Sequence, residues 1–188
     1  FRMRSLDSVQ PDVSKDHLSA IVDQAHSIMR EASNEDVAFA LSTDEDILGP
    51  LVDYMQTHNL ANPVDITEVL YGSEHGDLID AVMQMKEYYD APRPLKLAQM
   101  QGRRLPYEHV SWTIENGSYP SGHAASARYV AHLFSDMFLG YHPDGEHHRF
   151  ELFNIANRIA WGRVILGVHS LQDIREGKRL ADLYFRDV

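Results

Sequence analysis

Three observations predict an all-α, compact single-domain helical bundle for this chain. Apolar residues recur at helical spacing in run after run, Ser, Asn, Asp, Gly and Pro punctuate those runs as caps and breakers, and no stretch alternates polar and apolar residues as a half-buried strand would. At 188 residues and 44% hydrophobic composition, the chain can bury one core and suits a single domain over residues 1–188.

Leu18, Ile21, Val22, Ala25, Ile28, Met29 and Ala32 share one helical face after Ser14, a predicted N-cap. A weaker run covers Glu35 to Leu41, and Gly49-Pro50 opens another that Asn62-Pro63 interrupts. Asp65-Ile-Thr-Glu68 has the form of a capping box for a short helix ending at Gly72. A stronger helix is expected from Gly76-Asp77, with Leu78, Val82, Met85 and Tyr89 inward and a stop near Asp90 ahead of Pro92 and Pro94. Residues 95–117 are mixed in pattern and read as a long loop or short helical pieces. Two long helices follow, Ser121 to about Leu139 and Glu146 to Val164, the second with an inner stripe of Phe150, Phe153, Ala156, Ala160 and Val164 that Leu152, Ile155 and Ile159 widen, which makes it a central helix. Ser170-Leu-Gln-Asp173 is a capping box for a final helix running towards Phe185.

Composition narrows the function. A formal net charge of -11 argues against non-specific nucleic-acid binding, which needs a basic face. No window approaches the ~20 apolar residues of a membrane span, and the mean hydropathy is -0.36. With no cysteine, disulfide and thiolate chemistry are excluded. Phe1-Arg-Met-Arg-Ser5 holds no apolar core of a secretory signal, so either none exists or it has been removed.

The chemistry gathers at Gly117-Ser-Tyr-Pro-Ser-Gly-His123, a turn opening a helix. Such an N-terminus offers unpaired N–H groups and a positive dipole end, so Ser121 and the Gly122 amide are candidates to hold an anion beside His123. Lys86 with Arg93, and Arg163 with His169 and Asp173, also fall at predicted helix ends or loops. Together they supply what a tetrahedral dianion needs: an ammonium, guanidinium forks, amides, a nucleophile and an acid.

Lys86-x6-Arg93-Pro94, then Pro120-Ser-Gly-His123, then Arg163-x5-His169-x3-Asp173 resembles the three-part signature of the type 2 phosphatidic acid phosphatase (PAP2) superfamily. Its members include class A bacterial acid phosphatases, membrane lipid phosphatases and vanadium haloperoxidases. The extended form from Gly117 is most similar to the class A acid phosphatases. Gly162 departs from the pattern, standing where the signature has a serine. The likeness runs from Lys86 to about Leu180, leaving the first eighty or so residues assigned by helical pattern alone.

The resemblance implies the PAP2 and haloperoxidase fold and metal-independent hydrolysis of phosphate monoesters. His169 would be the nucleophile, forming phosphohistidine, Asp173 its orienting partner, and His123 the acid for the leaving group. Lys86, Arg93, Arg163, Ser121 and Gly122 would hold the phosphate oxygens. No cofactor is implied. The partner is a small phosphorylated substrate, with vanadate or phosphate as inhibitor, no nucleic acid, and a homo-oligomer as an option. The location is periplasmic or secreted by resemblance, cytoplasmic if no signal was removed. The alternatives are a vanadium-dependent haloperoxidase using the same residues and a non-catalytic phosphate-binding protein. Asp173 and a bound anion are expected to raise the pKa of both histidines. His142, His147 and His148 read as surface histidines, without a metal-site spacing. Tyr107, Trp112 and Tyr119 are candidates to stack on a leaving group.

Overall fold

The computed structural model describes residues 9–109 and 115–187. These residues form nine helices and no strand: α1 (Lys15–Glu31), α2 (Asn34–Ser42), α3 (Gly49–Thr57), α4 (Pro63–Leu70), α5 (Ser73–Tyr89), α6 (Pro94–Met100), α7 (Gly122–Phe138), α8 (Gly145–Ile165) and α9 (Leu171–Arg186). Helix α7 is the central one, packed on α5, α8 and α9. Its Ala124, Ala125, Ala127 and Ala131 are fully buried. Alanine keeps helix propensity high and lets neighbouring helices approach closely. Phe134 and Val130 of α7 meet Leu51, Met55, Ile66, Leu152 and Ile159 in the largest apolar cluster, and Leu78, Val82 and Met85 of α5 meet Tyr129 of α7 and Leu180 of α9 in a second.

Local chemistry sets the helix starts. Ser14, Ser33 and Ser121 each accept a hydrogen bond from a backbone amide of the first turn, and at α9 Ser170 and Asp173 form the complete reciprocal capping box. At α4 the cap is Asn62, whose side chain accepts from the Asp65 amide. The expected box beginning at Asp65 is therefore displaced by three residues, because asparagine before proline already satisfies the first turn. Helix α5 starts at Ser73, before Gly76, and ends where Asp90 turns left-handed at φ 42. Residues 95–117 include α6, which proline opens. In α8 Leu152, Ala156, Ile159, Ala160 and Val164 of the expected stripe are buried, but Phe150 is 62% exposed. That helix is buried on several sides towards its C-terminal end, so its apolar residues do not define a single face.

Candidate functional site

Each candidate residue of the three segments lies at a helix end. Lys86 and Arg163 are in the last turns of α5 and α8, where cations suit the negative dipole end. Arg93 and Ser121 are the N-cap positions of α6 and α7, and His169 immediately precedes the Ser170 cap of α9. The packing of α5, α7, α8 and α9 brings these ends together around a cavity of about 400 Å³. Lys86, Arg93, Gly122, His123, Arg163 and His169 line it, with Ile47, Ile79, Val82 and Met83 as an apolar wall.

Two expected members stand behind the wall. Asp173 is buried against His169, and Ser121, fully buried, accepts from the Ala124 amide. Ser121 is thus the cap of α7, and the adjoining Gly122 and His123 are what face the cavity. The Ser121 amide donates to the Asp173 carbonyl at 3.0 Å, joining the starts of α7 and α9.

His169 carries a decisive pair of contacts. Its Nε2 is 3.2 Å from an Arg93 Nη, and its Nδ1 is 3.2 Å from Asp173 Oδ2. Guanidinium groups donate and cannot accept, so Nε2 presents its lone pair and Nδ1 carries the proton, donating to the carboxylate. The same Oδ2 accepts from the Ser118 hydroxyl and, at 2.8 Å, from the Ser170 amide. Three donors on one oxygen leave it unprotonated. Arg93 is itself fixed by the Asn116 and Val168 carbonyls at 3.1 and 3.0 Å. Lys86 donates to the Gly117 and Ser118 carbonyls at 2.9 and 3.4 Å. Gly117 permits this approach, since a Cβ there would lie 2.5 Å from the Lys86 carbonyl.

Residues outside the signature complete the arrangement. Asp44, in the turn after α2, pairs its carboxylate with Arg163 and, at 3.1 Å, with His109 Nε2. Its carbonyl lies 2.9 Å from His123 Nε2, which therefore carries a proton and donates. Ser118 and Ser126 were also missed, although Ser126 stands one turn after Gly122, a spacing legible in the sequence. Nothing in Ser42-Thr-Asp-Glu-Asp46 singles out Asp44.

With no anion bound, both histidine pKa values lie below the ordinary imidazole range. Burial first, then the nearby Arg163 and Lys86 charges, push His123 down to about 3, with Asp44 working against them. Burial and the cations Lys86, Arg93 and Arg163 also hold His169 well below the imidazole range. Burial raises the Asp173 pKa, opposed by the Ser118 and Ser170 hydrogen bonds. The cations respond too: burial, then Arg93, lowers Lys86 to about 7, and burial, then Arg163, lowers Arg93 to about 10. Positive charge already crowds this cavity, so charging an imidazole there is costly.

Neither Tyr107 nor Tyr119 reaches the cavity. Tyr107 donates to the Ile165 carbonyl, and Tyr119 is buried, edge-on to Tyr89 and donating to the Val9 carbonyl. Trp112 lies outside the described residues. Among the described residues no group of three or more His, Cys, Asp or Glu is placed to hold a metal ion, and no helix is long and apolar enough to cross a membrane.

A solved structure settles the architecture. A transmembrane PAP2 type phosphatidylglycerolphosphate phosphatase from Bacillus subtilis superposes with a TM-score of 0.65 over 93% of this chain and 85% of that one. The fold is the PAP2 fold. Sequence identity between the two is 19%, so the likeness is one of architecture. No family model matches the chain, and no curated protein matches it. In this chain the three segments holding Lys86 and Arg93, Gly122 and His123, and Arg163 and His169 meet at the cluster of helix ends described above.

Proposed function

We propose that this protein is a metal-independent phosphomonoesterase of the acid phosphatase type, acting through a phosphohistidine on His169. The observation that carries the reading is the tautomer of His169, a neutral imidazole with its proton on Nδ1, donated to Asp173, and its Nε2 on the side of the cationic cavity. A nucleophilic imidazole has to be in this state. A site that only bound phosphate would gain more from a charged histidine.

In this reading Lys86, Arg93, Arg163 and the Gly122 amide hold the non-bridging oxygens, and the Ser121 cap fixes that amide. The Nε2 lone pair forms a bond to phosphorus as the P–O bond to the leaving group breaks. His123 donates its proton to the departing oxygen, and Asp173 stabilises the charge on His169. Water then attacks phosphorus with His123 as base, releasing phosphate and restoring Nε2. A bound dianion offsets the Lys86 and Arg163 charges, raising the pKa of His123 towards the range where it can act as an acid.

The Bacillus subtilis protein of the same fold is, by its description, a phosphatase of phosphatidylglycerolphosphate. The apolar wall of Ile47, Ile79, Val82 and Met83 makes lipid phosphates worth screening beside nucleotides and sugar phosphates. The test is nitrophenyl phosphate hydrolysis with EDTA and vanadate. Turnover that survives EDTA and stops with vanadate is expected. Loss with EDTA and rescue by zinc or magnesium, or vanadate-dependent halide oxidation, would sink the proposal.

A further inference from the structure

The departure at Gly162 and the unforeseen carboxylate of Asp44 belong together. Helix α2 packs against α8, and at Gly162 the two helices leave no room for a side chain. A Cβ there would lie 3.1 Å from both Cα and Cβ of Ala40 and 3.9 Å from Thr43 Oγ1. Ala40 is fully buried, so a larger residue at 162 would force α2 outward by a few tenths of an ångström. Thr43 ends α2, its hydroxyl donating to the Phe39 and Ala40 carbonyls. The next residue is Asp44. The close approach therefore sets where this carboxylate stands relative to Arg163, the residue that follows Gly162.

Resting on the phosphatase reading, we propose that Asp44 is a positioning residue for the reaction, delivered by α2 through the space that Gly162 leaves. Its carboxylate fixes the Arg163 guanidinium, which is 1% exposed and costly to bury without a counter-charge. Its carbonyl fixes His123 by accepting from Nε2, and His109 steadies the second carboxylate oxygen. One residue so orients a phosphate-binding cation and the acid, from 119 and 79 positions away in sequence. The arrangement has a cost in binding. A phosphate dianion must share Arg163 with a carboxylate, so Asp44 weakens ground-state binding of the anion while ordering the groups that act in the transition state.

This gives a signature that a merely structural role lacks. Asp44→Asn keeps shape and removes charge, and Gly162→Ala moves α2. For both, kcat on nitrophenyl phosphate should fall about 10- to 100-fold, as for a misplacement of catalytic groups, while KM does not rise, and for Asp44→Asn the calorimetric Kd for orthophosphate should fall. The double variant should be no slower than the slower single, since both changes break one relationship. Multiplying losses, unchanged kcat, or an effect confined to a raised KM would overturn the proposal. Should Gly162→Ala fail to fold by circular dichroism, Asp44→Asn decides alone. Should the wild-type protein hydrolyse no phosphate ester, the phosphatase reading falls and the orthophosphate Kd decides: tighter binding by Asp44→Asn supports the positioning of Arg163, and unchanged or weaker binding refutes it.

Discussion

Arg93 donates to the Nε2 of His169 across 3.2 Å, while the Nδ1 of the same ring bonds Asp173 at 3.2 Å. The imidazole is held between a cation and an anion, its proton kept on the anion's side.

Replacing His169 by Ala should therefore abolish covalent phosphoenzyme, whereas replacing His123 by Ala should slow alkyl leaving groups far more than nitrophenol, which departs without a proton. Acid-quenched labelling with a phosphorus-labelled substrate reads this. Acid-labile, base-stable label is expected on the wild type and the His123 variant, and none on the His169 variant. Acid-stable label would instead indicate a serine ester and defeat the assignment.

Lys86 makes the alkaline side of the pH profile predictable. Burial, then Arg93, brings its pKa down to about 7, so above that pH the free protein loses one of the cations facing the anion. The plot of kcat/KM against pH should fall through about 7, and Lys86→Arg, which stays charged, should move that limb upward. Stability runs the other way. Between pH 7 and the ordinary lysine range the unfolded chain binds the proton and the native one does not, so this group adds stability as pH rises.

Acid should unfold the protein from within its site. An unfolded histidine titrates near ~6.5, and His123 in the fold near 3. Across that window the unfolded state binds more protons, so stability falls as pH falls, and His169 shifts in the same direction. Urea melts at pH 7, 5 and 4 should show the decline, and His123→Gln should flatten it. An unchanged slope in that variant would assign the acid lability elsewhere.

Ser118 donates to the Asp173 oxygen that also accepts from His169, the nucleophile of the proposed mechanism. Ser118→Ala should lower kcat about tenfold, the scale of one hydrogen bond to a charged group, with little change in KM. An unaltered kcat would show that the Ser170 amide suffices.

Orthophosphate should raise the melting temperature through the buried cations. Arg93→Ala or Arg163→Ala should reduce that shift, and Lys15→Ala, on the exposed start of α1, should leave it unchanged. Equal losses at all three would reduce the effect to non-specific ion binding.

The legible parts of the molecule were those written over short spans. Ser170 and Asp173 are three residues apart and their box follows from one helical turn; His169 and Asp173 meet for the same reason. The Lys86, Arg93 and Arg163 positions were legible as a linear pattern, but their shared cavity depends on how α5, α7, α8 and α9 pack. Asp44 was invisible, because only the contact of α2 with α8 gives it a role. Phe150 fell outside the core because α8 is apolar on several sides, and the downward histidine shifts of the anion-free protein were not legible because they come from burial and from cations that only the packing gathers.

The burial of Lys86, Arg93 and Arg163 has a kinetic consequence in a chain of net charge -11. Hidden in the wall of a cavity, these cations contribute little to the field beyond the surface, which the acidic remainder dominates. An approaching dianion is repelled at long range and captured only at close quarters. Added salt screens the repulsion over about 10 Å at 0.1 M, so moderate ionic strength should quicken the encounter with anionic substrates.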